Sequence, residues 1–270
     1  MEEILSVLVP VQDIEAISLG GSRALGVAGL NSDYDVVLHR RDQRSFTNAD
    51  LLAALQGLGE ECKIMRTPSL ISASMGGKKY EFFLKDLSFI EREVEQAKQG
   101  RFKWFVKPLF PHGDLSTTAL HHVINLDCLF DRVGALGRVR DSARPVPAKL
   151  LKALMQYFSV QMDVTVIHAL KIKKYADLQY LIALASQFMF FFDILMFSVN
   201  DEYPVLEKGG ASVRQRLAIL PDGYEQHVRV LQPVNGVVSL QSANEAMQKL
   251  NSLVQDMVKK KLQLLADAGH

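Results

Sequence analysis

Cysteine is scarce in this chain: two in 270 residues, Cys62 and Cys128. Two cannot build the disulfide scaffold of a small secreted domain, and their separation matches no zinc-ligand spacing. A reducing, cytoplasmic setting is the expectation. Charge of one sign is missing too. Against 31 Lys and Arg stand 30 Asp and Glu, a formal net charge of +1. No global field draws the chain to DNA or to an anionic membrane surface. The chain opens Met-Glu-Glu-Ile-Leu, acidic where a signal peptide carries cations, and no cleavage pattern follows. Tryptophan occurs once, at Trp104.

What is present suffices for a large core. The hydrophobic fraction is 48% and the charged fraction 23%, values of an ordinary globular protein of one large or two average domains. Apolar periodicity predicts a helix over 2–9, strands at 16–19, 34–39 and 62–66, and a helix over 48–58. A hairpin follows, with arms 69–75 and 79–84 around Gly76-Gly77, a tight-turn signal. Ser88-x-x-Glu91 reads as a capping box opening a helix to Gln99. The aromatic, basic stretch 102–111 reads as a loop, and 124–130 as a further strand closed by a turn at Asp131. His112, His121 and His122 stand at no metal-ligand spacing. Alternating strands and helices argue for an α+β domain with a mixed sheet.

The charged, proline-containing stretch 138–147 marks the domain boundary, giving domains 1–145 and 146–270. Beyond it the periodicity is helical throughout, an all-α bundle. Residues 178–197 are apolar enough to raise a membrane span, but Gln187 and Asp193 interrupt them without basic anchors, so a buried bundle helix is expected. A last long helix should start at Asn235 or Ser239 and end with Lys259-Lys260-Lys261, whose cations complement its dipole.

The stretch Ile17-Ser-Leu-Gly-Gly-Ser-Arg-Ala through Asn31-Ser-Asp-Tyr-Asp-Val-Val-Leu-His39 carries the chemistry. A Gly20-Gly21-Ser22 turn lets backbone N–H groups approach an anion. On a strand, Asp33 and Asp35 share a face, and paired carboxylates are tolerated chiefly around a cation. Glu81, alone in the strand Lys79-Tyr-Glu-Phe-Phe-Leu84, is costly to bury unless it meets a metal, a partner or water. Asp86 lies just after that strand and is the weaker candidate.

Gly21-Ser22, ten intervening residues and Asp33-Tyr34-Asp35-Val36 resemble the signature of the DNA polymerase β-like nucleotidyltransferase superfamily. The pattern looks most like its small bacterial aminoglycoside and lincosamide nucleotidyltransferases. The resemblance implies Mg²⁺ held by Asp33 and Asp35, and a nucleoside triphosphate on Gly20, Gly21 and Ser22, with Arg23 adding charge. Glu81 matches the family's third acid, as a further metal-side ligand or as the general base. The segment from Asn200 through Tyr203 to Lys208 resembles one whose lysine reaches the triphosphate, which makes Lys208 a nucleotide contact. Asp131 matches a turn position.

The expected reaction is Mg²⁺-dependent transfer of a nucleotidyl group, AMP foremost, to a hydroxyl of a small molecule such as an antibiotic. The helical half carries 13 Lys and Arg against 11 Asp and Glu, so a neutral or singly charged hydroxylated acceptor, lincosamide-like or sugar-like, fits at least as well as a polycationic aminoglycoside. Asp163 or Asp193 could receive it. Two alternatives stay open: transfer to a protein or a tRNA end, and a nucleotide-binding sensor without turnover. No DNA or membrane partner is expected, and a homodimer is compatible with the fold.

Overall fold

The computed structural model describes residues 1–26, 28–58, 63–66, 71–107, 110–172, 177–205, 210–231 and 239–269. In chain order the first elements are α1 (Glu2–Leu8), β1 (Ile14–Leu19), the single turn α2 (Gly21–Ala24), β2 (Tyr34–Arg40) and α3 (Asn48–Gln56). Next come β3 (Lys63–Arg66), β4 (Ile71–Met75), β5 (Lys78–Asp86), α4 (Leu87–Lys98), β6 (Trp104–Lys107) and β7 (Phe110–Leu115). Then follow α5 (Thr118–Asn125), β8 (Asp127–Asp131), α6 (Ala135–Ser142), α7 (Ala148–Leu170) and α8 (Leu178–Val199). The chain finishes with α9 (Gly210–Arg214), α10 (Tyr224–Leu231) and α11 (Leu240–Asp267). The expected architecture is present: a mixed α/β N-terminal half, then helices.

Two compact units form, Met1–Glu95 with Ala119–Pro145, and Gln96–Thr118 with Val146–His270. Residues 96–118 thus fall with the helices of the second unit.

The first unit is built on a six-stranded sheet of order β3-β4-β5-β2-β1-β8. Only β2 and β5 run parallel; every other neighbouring pair is antiparallel. Strand alternation sends Ile17, Val36, Leu38, Tyr80 and Phe82 into one cluster with Ile4 and Leu8 of α1 and Leu51 and Leu55 of α3. Each of these side chains is at most 4% exposed. Sheet residues of the opposite phase are left for the site. Gly76 and Gly77 both have positive φ (56° and 72°), the pair of values a two-residue hairpin needs. Helix α3 is capped by Thr47, whose hydroxyl and N–H engage Asp50 reciprocally. At the end of β8, the Asp131 carboxylate accepts from Gly137 N at 2.9 Å, so it caps α6. Arg132 donates to the carbonyls of Val9 and Val11 at 2.7 and 2.9 Å, binding that corner to the link after α1.

In the second unit α7 and α8 pack together, with α11 against both and α10 against α11. The apolar segment of α8, Gln179–Val199, is long enough to cross a membrane, and 72% of its most apolar window is buried inside the protein. Trp104 lies among Phe158, Phe190 and Phe191, with ring centroids 5.6–6.2 Å apart. Its indole N–H donates to the His112 carbonyl at 2.8 Å.

Several expectations need correction. Residues expected as a loop at 102–111 supply most of a two-stranded hairpin, β6 with β7; Pro108 and Pro111 conceal the alternation in the sequence. Ile124 and Asn125 end α5 instead of starting a strand. Ser88 sits inside the first turn of α4, and Glu91 is taken by Arg41 at 3.0 Å, so the predicted capping box does not form. Helix α10 buries Tyr224, Val228 and Leu231, the spacing of one helical face. Helix α11 starts after Ser239, whose hydroxyl accepts from Ser242 N; the alternative start, Asn235, lies outside the described residues.

Candidate functional site

The glycine turn connects β1 to β2, and its backbone is fixed by β2. Gly20 N donates to the Asp35 carbonyl at 2.8 Å. A Cβ on Gly20 would lie 3.0 Å from Leu126 and 3.2 Å from Val37. Gly21 adopts φ +61°, and a Cβ there would fall 1.7 Å from Asp35 Oδ2. Both glycines are therefore dictated by local geometry: one by packing, the other by the carboxylate resting against it. Because the Gly20 N–H is already engaged, an anion at this turn is left to Gly21 and Ser22. They head the single turn α2, where N–H groups lack intrahelical partners.

Arg23 is turned back onto its own loop. Its guanidinium donates to the carbonyls of Ser32 and Asp33, at 2.5 and 3.1 Å, and lies 3.9 Å above the Tyr34 ring. Tyr34 in turn stacks on Tyr80, centroids 5.2 Å apart. This stack pins the segment that delivers Asp33 to the start of β2.

Parallel pairing of β2 with β5 sets Asp35 directly opposite Glu81. Asp33, two residues earlier, meets Glu81 through a residue the sequence reading did not single out. Lys79 Nζ lies 3.0 Å from Asp33 Oδ2 and 2.5 Å from Glu81 Oε1. The hydrogen bonds to Glu81 and then Asp33 favour the ammonium and push the Lys79 pKa up to about 12. The signal for Lys79 was available: residues two apart on a strand share a face, so a lysine at 79 accompanies a glutamate at 81. Glu81 is 19% exposed, Asp33 36% and Lys79 41%; the cluster opens to solvent.

Among the described residues, no three His, Cys, Asp or Glu side chains form a ready metal cluster. The carboxylates nonetheless suit a hard divalent cation. Asp33 and Glu81 already converge on one positive group, and every donor is oxygen, the chemistry Mg²⁺ selects.

Other candidates have different positions. Asp86 pairs with Arg40 at 2.5 Å, at the opposite end of β5 from Glu81. There it lines a polar pocket with Asp42, Gln43, Arg44, Ser88 and Arg92. Asp163 accepts from Asn251 and Gln255 at 2.7 and 3.0 Å. Asp193 pairs with Arg214, and burial pushes its pKa up to about 6 against the pull of that arginine. Both aspartates thus have partners inside the helical unit. Lys208 lies outside the described residues.

No protein-family model matches the chain, and no curated protein matches it. Among solved structures it is similar to a nucleotidyltransferase-like protein from Exiguobacterium sibiricum 255-15. Identity is 10%, the TM-score is 0.43, and the match covers 96% of this chain and 73% of that one.

Proposed function

We propose that this protein transfers a nucleotidyl group from a nucleoside triphosphate to a hydroxyl, with a carboxylate site at Asp33, Asp35 and Glu81. One observation carries the reading: the glycine turn packs against Asp35, the β2–β5 register sets Asp35 opposite Glu81, and Asp33 and Glu81 both lie on the Lys79 ammonium. Asp33, Asp35 and Glu81 would hold Mg²⁺, which when bound neutralises phosphate oxygens and eases the departure of pyrophosphate. The N–H groups of Gly21 and Ser22 bind a phosphate of the triphosphate. Glu81 has two carboxylate oxygens, and the one not given to the metal is left to accept the proton of the acceptor hydroxyl. The freed oxygen bonds to the α-phosphorus, and the bond from that phosphorus to the bridging oxygen breaks. AMP is the group favoured here, and a small neutral hydroxylated molecule the acceptor. Arg23 shapes the loop, with two of its nitrogens on the Ser32 and Asp33 carbonyls.

The Lys79 contact favours a second reading, a triphosphate-binding module without turnover, because an ammonium satisfies the acids without a metal. Pyrophosphate release separates the two. The assay takes each of the four nucleoside triphosphates with Mg²⁺ against aminoglycosides, lincosamides and a cell lysate. Release that requires one acceptor and vanishes in Asp33→Asn supports the transferase. Triphosphate binding with no release under any condition supports the silent module.

A further inference from the structure

Lys79 stands where the proposed chemistry wants a metal. Its Nζ bridges Asp33 and Glu81 at 3.0 and 2.5 Å, and an ammonium and a divalent cation cannot both sit between the same two oxygens. Two carboxylates this close repel when both are charged, so the bridge relieves a cost that the bare site would carry. The arrangement is also built to open. Lysine carries its charge on a flexible four-carbon stem. At 41% exposure its head can leave for solvent without any backbone change. The glycine turn, which packs against Asp35, is the place proposed for phosphates, and these offer an ammonium an equally good partner.

From this geometry we infer that Lys79 is an internal counter-cation that competes with the divalent metal for Asp33 and Glu81 and yields when a triphosphate arrives. The inference rests on the proposed nucleotidyl-transfer site. It adds a regulatory consequence: metal alone binds weakly, and metal and triphosphate bind cooperatively. Each ligand removes the other's obstacle, so the coupling is reciprocal. The triphosphate draws the ammonium off the carboxylates, and the metal displaces it towards the phosphates.

The test measures Mn²⁺ binding to the full chain by electron paramagnetic resonance, with and without ATP, in wild type, Lys79→Met, Lys79→Arg and Asp33→Asn. Methionine keeps the length of the side chain without the charge, and its surface position spares the fold. Lys79→Met should bind Mn²⁺ alone at least tenfold more tightly than wild type, and ATP should enhance that binding less. Lys79→Arg should stay near wild type. Equal Mn²⁺ affinity in wild type and Lys79→Met, with binding lost in Asp33→Asn, overturns the role of Lys79 and leaves the metal site standing. No Mn²⁺ binding in any variant, with or without ATP, overturns the metal site and the inference together.

Discussion

Gly21 and Asp35 share one space: a methyl group on the glycine would begin 1.7 Å from the carboxylate oxygen of the aspartate. Gly21→Ala therefore carries two costs. At φ +61° an alanine adds strain of about 1–2 kcal/mol, and Asp35 has to move. Misplacing a reacting group by an ångström can lower a rate about a hundredfold, and a loss of that order in pyrophosphate release is expected. Gly76→Ala is the control, since φ is +56° but a Cβ meets nothing within 4 Å. That variant should lose stability on thermal unfolding and keep its activity.

Arg23 separates anchoring from phosphate binding. If its work is to hold Ser32, Asp33 and the Tyr34 ring, Arg23→Lys should fail almost as badly as Arg23→Ala, because an ammonium cannot span two carbonyls and stack. Both should lower the melting temperature of the nucleotide-free protein, with about 1–3 kcal/mol lost. An unchanged melting temperature combined with weaker ATP binding would return Arg23 to the phosphates.

Asp86 is a structural acid. Arg40 and Asp86 are 12% and 16% exposed, and Arg40 also donates to the Phe46 carbonyl. Asp86→Ala leaves that guanidinium short of its partner, a loss of about 2 kcal/mol given the partial exposure. Five residues of strand, about 16 Å, separate it from Glu81. Pyrophosphate release at a temperature where the variant stays folded should match wild type; a selective loss of activity would give Asp86 a part in the chemistry.

The sequence revealed most where a constraint is local. Gly-Gly-Ser, the Asp33–Asp35 spacing and the Gly76-Gly77 hairpin each depend on residues a few positions apart, and each is legible in the sequence alone. Pairing between distant strands is not local: the parallel register that opposes Asp35 to Glu81 joins segments 46 residues apart, no periodicity encodes it, and only the family resemblance pointed to Glu81 as the acid beside that strand. Lys79 went unnoticed because a lysine on an alternating strand is ordinarily a solvated residue; only the position of Asp33 gives it meaning. The loop contacts of Arg23 are hidden for the converse reason, since its partners are backbone carbonyls, which sequence patterns do not show. The hairpin of β6 and β7 was hidden by prolines that mark a turn and suggest a loop.

His39 predicts a pH dependence that belongs to the fold. It sits on β2 in the same phase as Asp35, 1% exposed, with Nε2 2.8 Å from Ser18 Oγ and with Nδ1 unpartnered. Burial pushes its pKa down to about 4; the charge of Lys85 adds to the fall, Asp131 opposes it and Arg140 adds again. The folded state thus keeps the ring neutral between about pH 4 and 6.5, while the unfolded chain takes up a proton in that window. Stability must fall as pH drops through it, by about 2 kcal/mol between pH 7 and pH 5. Carboxylates contribute their own slope, so the comparison is with Ser18→Ala/His39→Val, which replaces both hydrogen-bonding partners with apolar groups. Urea unfolding at the two pH values should show the wild type losing about 2 kcal/mol more than the double variant. Parallel losses would mean that His39 binds its proton equally in both states, and that the interior of this sheet tolerates an imidazolium.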